Sequence, residues 1–393
     1  MKTLISTLAF ALAAVPLASC NAAPAQASGG KAAAQAGYAI KDYGTFDEPW
    51  ALAFAPGTSV LFVTERGGTL KFLDTASGRR GTVTGLPKVD YGGQGGLGDI
   101  AFLPTEAAST LGKRTIYLTW VEAGKGGTRG AVAGRGSLVC DKPDTCRIDA
   151  LSVIWRQDPK VEGRGHFSHR LLFTPDGKTL FLSSGERQKF TPAQDLSVNL
   201  GKVLRLNPDG TPKAGNPFAG REGPFAAKGG VSAQIWSYGH RNVLGLGFDA
   251  QGRLWGLEHG PKGGDELNLI EPGKNYGWPV VSNGDNYDNT PIPRHATRPD
   301  LTPPAISWNP VIAPGDFIFY SGKAFPAWRG QALIAGMVYP GLVRVAIDGS
   351  TAREVERIDL GHRIREIEQG PDGAVWIAED GKGGRLRKLV ARR

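Results

Sequence analysis

A strand–turn–strand unit recurs six times along this chain, and it narrows the choice of fold more than any other feature. LAFAPGTSVLFVTERGG begins at Leu52, IAFLPTEAASTLGKRTIYLTW at Ile100 and LLFTPDGKTLFLSSGER at Leu171. LGFDAQGRLWGLEHG begins at Leu246, a weaker FIFYSGKAFPAWRGQALIAGM at Phe317, and IEQGPDGAVWIAEDG at Ile367. Each unit is a short apolar run, a turn rich in Pro, Asp or Gly, and an alternating run ending in polar or glycine residues. Alternation with a period of two buries one face of a strand, and the turn residues supply the reversal. The starts lie 48, 71, 75, 71 and 50 residues apart, so the longer intervals carry extra loops. No long segment shows helical periodicity. Such repeats, in a chain with 56 glycines, predict an all-β protein, a six-bladed β-propeller in preference to a sandwich.

The N-terminus has a different character. Lys2 precedes an apolar run from Leu4 to Leu17, followed by Leu17-Ala18-Ser19-Cys20. A positive start, a short apolar stretch and small residues at the cut form a signal peptide, too short to span a bilayer. The Cys directly after Leu-Ala-Ser resembles the bacterial lipoprotein cleavage box, with Cys20 as the lipidated first residue. Residues 1–19 are therefore read as a signal peptide and 20–43 as a flexible Ala/Gly/Gln/Ser-rich tether. Residues 44–393 are read as the propeller, in an exported, periplasmic protein attached to a membrane only by lipid.

Export bears on the remaining cysteines. Cys140 and Cys146 stand close together in SLVCDKPDTCRID, with no partner His or Cys nearby for a metal. In an oxidising compartment they are expected to form a disulfide across a hairpin tip. The net charge of +9 favours anionic partners in general. No basic run is interleaved with aromatics, so nucleic acid is not an expected partner.

Four clusters flank the repeats, where a propeller gathers its loops. Tyr91-Gly92-Gly93-Gln94-Gly95-Gly96 leaves one amide projecting from a permissive backbone. It lacks the Gly-Lys-Ser/Thr and following helix of a phosphate loop. Gly165-His166-Phe167-Ser168-His169-Arg170 supplies a histidine able to act as a general base near neutral pH. The stretch from Ile235 to Pro279 is the densest, with Arg241, Asn242, Glu258, His259, Asp265 and Glu266 set among Gly/Pro turns. Rigid turns carrying charge suit a small polar ligand. Finally, Arg363 and Arg365 stand two apart on a strand, hence on one face, where they can grip carboxylates.

Together these clusters resemble the soluble quinoprotein sugar dehydrogenases of the glucose/sorbosone dehydrogenase family, and their aldose branch in particular. Gly-Gly-Gln-Gly-Gly-Leu, His-Phe-x-x-Arg-Leu, Gln194-Asp195-Leu196 with Leu200-Gly201-Lys202, and Trp236-Ser237-Tyr238-Gly239 with Arg241-Asn242 occur in family order. Glu258-His259-Gly260-Pro261, Gly263-Gly264-Asp265-Glu266, Asn275-Tyr276-Gly277-Trp278-Pro279 and Arg363-Ile364-Arg365 follow. The resemblance implies a six-bladed propeller that binds pyrroloquinoline quinone (PQQ), a planar tricarboxylate, with Ca2+. It implies that His166 takes the anomeric hydroxyl proton of an aldose while hydride leaves C1 for the quinone. Arg241 would stabilise charge on the quinone oxygen, and Gln94, Asn242, Arg363 and Arg365 would hold the cofactor. The carbonyls of Gly260 and Pro261 would face its calcium. Glu266 and the Tyr276 carbonyl match a second, structural calcium, and Trp308 the aromatic beside the substrate.

The chain departs from the family pattern in two places. A cofactor-contacting Lys of the fifth blade is replaced in Gly336-Met337-Val338-Tyr339-Pro340, by Val338 or Tyr339 according to alignment. Gly165 stands where the glucose-specific branch has Asp, which points to a broad sugar preference. The expected activity is therefore oxidation of aldose sugars at C1 to lactones, with two electrons passed to an unknown acceptor. The alternatives are a lactonase-like metal hydrolase, which needs acidic or Asn ligands where this chain has Arg and Gln, and a non-catalytic propeller that binds glycan or protein.

Overall fold

The computed structural model describes residues 37–220 and 230–392; the signal peptide and Cys20 lie outside them. Among the described residues the regular structure is strand, with helical turns of only three or four residues. The strands form four sheets of four and one sheet of eight. Within the larger sheet, Pro49–Phe54 to Arg80–Thr84 form one antiparallel set and Leu97–Phe102 to Thr145–Arg156 another. The two sets meet edge to edge, where Thr82, Val83 and Thr84 pair in parallel with Thr145, Cys146 and Arg147.

Each of the six repeats opens a four-stranded set. The opening strands are Pro49–Phe54, Leu97–Phe102, Ser168–Phe173, Val243–Phe248, Pro314–Phe319 and Ile364–Gln369. Each packs against the next and the last against the first, which closes a ring of inner strands. Apolar side chains fill the wedges between neighbouring sheets, with Trp255 and Trp376 wholly buried. Burying a large apolar side chain contributes roughly 1.5–3 kcal/mol, so these wedges hold the ring together.

Residues 38–43, read from the sequence as tether, are strand. Tyr38–Asp47 is a strand that pairs antiparallel with Lys382–Ala391, so the start of the described chain completes the last sheet. Tyr38 and Phe46 anchor it by burial. Cys140 and Cys146 are joined by a disulfide across the tip between Arg129–Val139 and Thr145–Arg156, as expected.

Every inner strand is irregular near its start, where its register against the second strand shifts. A bulge of this kind bends a strand and re-aims side chains, often beside an active site. All six irregularities fall at the same end of the ring.

Candidate active site

The residues just before and just after those six irregular starts converge. They line a cavity of about 390 Å³ with Glu48, Trp50, Gln94, Asn242, Arg363 and Arg365 among its walls. Second strands deliver the residues that follow them to the same space: Arg66, His259, Met337 and Asp380. Three of the four clusters expected from the sequence thus face one chamber, and the His166 segment reaches it through Phe167, Ser168 and His169.

His166 is buried beside this chamber. Its backbone N–H donates to Gln94 Oε1 at 2.6 Å, which fixes both residues. Its Nδ1 is in hydrogen-bond contact with Glu186 Oε1. The other Glu186 oxygen accepts the N–H groups of Lys189 at 2.5 Å and Phe190 at 2.6 Å. An ionised carboxylate only accepts, so Nδ1 carries the proton and Nε2 keeps its lone pair. Burial pushes the His166 pKa down, the Glu186 hydrogen bond opposes it, and nearby Arg241 lowers it further. The net shift is downward, which keeps the imidazole neutral and able to accept a proton. Glu186 is also buried, yet its bonds to His166 and the loop amides outweigh desolvation and hold it ionised.

The backbone around His166 is strained. His166, Ser168 and His169 have φ of 49°, 56° and 65°, a region costly for side chains other than glycine. Arg187 helps to impose it: Nε donates to Gly165 O at 2.8 Å and Nη2 to Gly163 O at 2.6 Å. Strain held in this way at a site serves preorganisation.

Arg241 and Asn242 lie on the turn before Val243–Phe248. The Arg241 N–H donates to Glu258 Oε2 at 2.8 Å, and His240 Nδ1 meets Glu258 Oε1 at 2.9 Å, so one carboxylate braces the turn. Arg241 Nη1 donates to Gly260 O at 2.7 Å and His259 O at 3.1 Å. Its Nη2 lies 3.3 Å from the Tyr287 hydroxyl, and its Nε is buried without a partner. Asn242 Oδ1 accepts from Ser168 Oγ at 3.1 Å. The Glu186 N–H donates to the Arg241 carbonyl at 3.0 Å, which ties the histidine and arginine loops together.

Arg363 and Arg365 do share a face, and both turn to Asp380. Arg363 donates to Oδ2 at 2.9 and 2.8 Å, and Arg365 Nε to Oδ1 at 2.9 Å. Trp50 forms the floor, stacked on His169 with ring centres 5.0 Å apart. His169 therefore belongs to the floor. With no carboxylate against it, burial pushes its pKa down to about 3.

Gly260, Pro261, Glu266 and Tyr276 come together around a second cavity of about 10 Å³ behind Arg241, room for a single water or ion. Glu258 and Glu266 both approach Asn268 Nδ2, at 3.0 and 3.3 Å, and Asn268 Oδ1 is buried without a partner. Glu258 and Glu266 both line this cavity, but Glu258 already braces the turn and His295 Nε2 lies 3.4 Å from Glu266 Oε1. Among the described residues no group of three or more His, Cys, Asp or Glu is placed to hold a cation, so carbonyl oxygens would have to complete the set. The Gly260 carbonyl already accepts from Arg241.

Trp308 does not reach either cavity. It ends the outer strand Ile306–Trp308, packs with Trp255, Leu257 and Phe317, and donates Nε1–H to Glu354 at 2.9 Å. Its register opposite Asp265 turns it into the core. The aromatic faces near Arg241 are Trp278 and the exposed Tyr287, with ring centres 5.1 and 5.9 Å from the guanidinium carbon. Phe190, also exposed, stacks on Trp278. Glu48, Arg66, Glu186 and Asp380 were not singled out from the sequence. Three of them stand in the charged tails of the repeats, Thr-Glu-Arg, Gly-Glu-Arg and Ala-Glu-Asp, which is the signal that could have found them.

A neutral base fixed by a carboxylate, an arginine close to it and a cationic chamber, all at one end of a ring of sheets, describe a class of enzyme-like site on an all-β scaffold. A model of the family described as Glucose / Sorbosone dehydrogenase matches residues 46–388, and the chain belongs to that family. The aldose sugar dehydrogenase YliI of Escherichia coli (strain K12) is 36% identical over 352 residues, covering 88% of this chain and 91% of that protein. The crystal structure of the soluble aldose sugar dehydrogenase from Escherichia coli in the apo-form has a TM-score of 0.80 at 33% identity, over 90% of this chain and 100% of that one. The PQQ-bound aldose sugar dehydrogenase from Streptomyces coelicolor has a TM-score of 0.70 at 26% identity, over 90% of this chain and 98% of that one.

Proposed function

We propose that this protein is a periplasmic sugar oxidoreductase that oxidises aldoses at C1 to lactones with PQQ and Ca2+, anchored through a lipidated Cys20. The scaffold in this reading is a six-bladed propeller. Its eight-stranded sheet counts as two blades joined at their outer strands by the parallel pairing, and its last blade is completed by Tyr38–Asp47.

The observation that carries the reading is the His166–Glu186 pair beside Arg241 at the edge of a cationic chamber. The chamber fits a planar tricarboxylate: Arg66, Arg363 and Arg365 face only Glu48 and Asp380 there, and the Arg66 Nε is buried without a partner. Gln94 and Asn242 would add neutral hydrogen bonds. Bound there, the quinone would supply the two-electron sink. The chain's own residues do the rest. His166 Nε2 accepts the proton of the anomeric hydroxyl, and Glu186 holds the imidazole in the required tautomer and stabilises it once charged. Arg241, held by the His259 and Gly260 carbonyls, places positive charge where negative charge develops. The two electrons would then pass to an external acceptor.

The test is reconstitution of the full-length protein with PQQ and calcium, followed by aldose titration. His166→Ala should lower turnover by roughly 10²–10⁴-fold while leaving quinone binding intact. Activity should fall with pH as His166 is protonated, with the acid limb below that of an ordinary histidine because its pKa is lowered. Glu186→Gln removes the group that raises that pKa, so the limb should move lower still as turnover drops. Near wild-type turnover in His166→Ala with quinone bound would overturn the mechanism.

A further inference from the structure

We propose that Arg66 is a third cationic contact for the carboxylates of the bound cofactor, beside Arg363 and Arg365. The inference rests on the quinone reading above.

The sheet opened by Pro314–Phe319 presents no cation to the chamber. Met337 lines it, Val338 is 57% exposed, and Tyr339 lies under the Arg357 guanidinium. Two arginines sharing Asp380 make a poor match for three carboxylates. Arg66 faces the same chamber from the first repeat, directly after Val60–Glu65. Its Nη1 lies 3.3 Å from Glu48 Oε1, and its Nη2 donates to Gly93 O and, at 3.5 Å, to Gly95 O. A guanidinium has five N–H donors, and these contacts occupy three. Nε is buried with no partner in the protein. Arg66 is also near enough to Arg365 for the two charges to repel.

Its placement is firm. The Arg66 carbonyl accepts the Leu97 N–H at 3.0 Å, and its N–H donates to Glu48 O at 3.1 Å. Gly96, at φ 143°, passes so close that a Cβ there would lie 2.2 Å from the Arg66 carbonyl. The glycine loop that projects Gln94 is thus built against Arg66. Three guanidinium groups facing one space with two carboxylates leave a charge that an anionic ligand satisfies.

Equilibrium binding of PQQ to the calcium-loaded, cofactor-free protein reads this directly, with thermal melting as the check on folding. Arg66→Gln should weaken binding roughly ten- to a hundredfold, and Arg66→Lys should lose less. Adding Val338→Lys to Arg66→Gln should recover part of the loss. Glu48→Gln, which frees Arg66 from its acid, should tighten binding at low salt and keeps the test open if Arg66→Gln does not fold. Wild-type protein that fails to bind the quinone would remove the functional reading itself. Wild-type binding with Arg66→Gln unchanged, or with Glu48→Gln no tighter, would overturn the role of Arg66 alone.

Discussion

Arginines in the floor and at the rim of the chamber differ in how many carboxylates they meet. Arg170, buried in the floor, has Glu366 at 2.6 Å, Asp99 at 3.5 Å and Asp316 at 3.6 Å. It also donates to the Leu244 carbonyl at 2.5 Å and lies under the Trp50 ring at 4.1 Å. At the rim, Arg66, Arg363 and Arg365 share Glu48 and Asp380. One arginine against three acids is a cross-link with no capacity left over. Three arginines against two acids leave charge for an anion. The same side chain serves structure or binding according to the count around it, and the inner strands supply both counts a few residues apart.

The largest effect that can break this contrast is Arg170→Ala. Removing one member of a buried charge network strands the rest, at a cost of about 3–5 kcal/mol. Burial already pushes the Asp99 carboxyl up to about 6 despite Arg170. Without Arg170 the three acids should hold protons more tightly in the folded state than in the unfolded chain. A raised folded pKa contributes stability that is lost as pH rises, so the variant should be weaker at pH 8 than at pH 5. Urea unfolding at the two values measures this; a loss under 1 kcal/mol at both would mean that the floor network is not structural.

Arg365→Ala makes the complementary test at the rim. Arg363 still neutralises Asp380 in that variant, so the melting temperature should hardly change. Quinone affinity should fall about tenfold or more, since a charge-assisted hydrogen bond contributes roughly 1.5–3 kcal/mol. Lost stability with unaltered affinity would place Arg365 with Arg170 and dissolve the distinction.

Much of this was legible in the sequence. The six repeats at Leu52, Ile100, Leu171, Leu246, Phe317 and Ile367 fall inside the six inner strands, each starting three residues after the strand does. The flanks Gln94, His166, Arg241, Asn242, Arg363 and Arg365 meet at one end because every repeat runs the same way around the ring. Arg66, Glu186 and Asp380 were harder to see. A charge at the end of an alternating strand reads as a solvated turn until the sheet order shows which ends face inward. Trp308 failed for the opposite reason, since its residue type suits a sugar but its register buries it. The strand Tyr38–Asp47 was hidden by Gly44 and by the register shift after Asp42, which break its alternation.

Tyr287→Ala should give the smallest effect and the sharpest separation of stability from function. Tyr287 is 72% exposed, the most exposed large apolar residue described, and its one polar contact is with Arg241. Surface substitutions of this kind usually change stability by less than about 0.5 kcal/mol, so melting should be unaltered. Arg241 would lose a hydroxyl contact and an aromatic face, the latter worth about 0.5–1 kcal/mol at an exposed site. In the proposed reading the aldose would lose one wall beside Arg241. We therefore expect kcat/KM to fall roughly two- to fivefold, mostly through KM, with quinone affinity unchanged because Tyr287 is not among the chamber walls. A drop in melting temperature with unaltered kinetics would make Tyr287 a structural prop, and substrate contact would then have to be sought on the Phe190 side of Trp278.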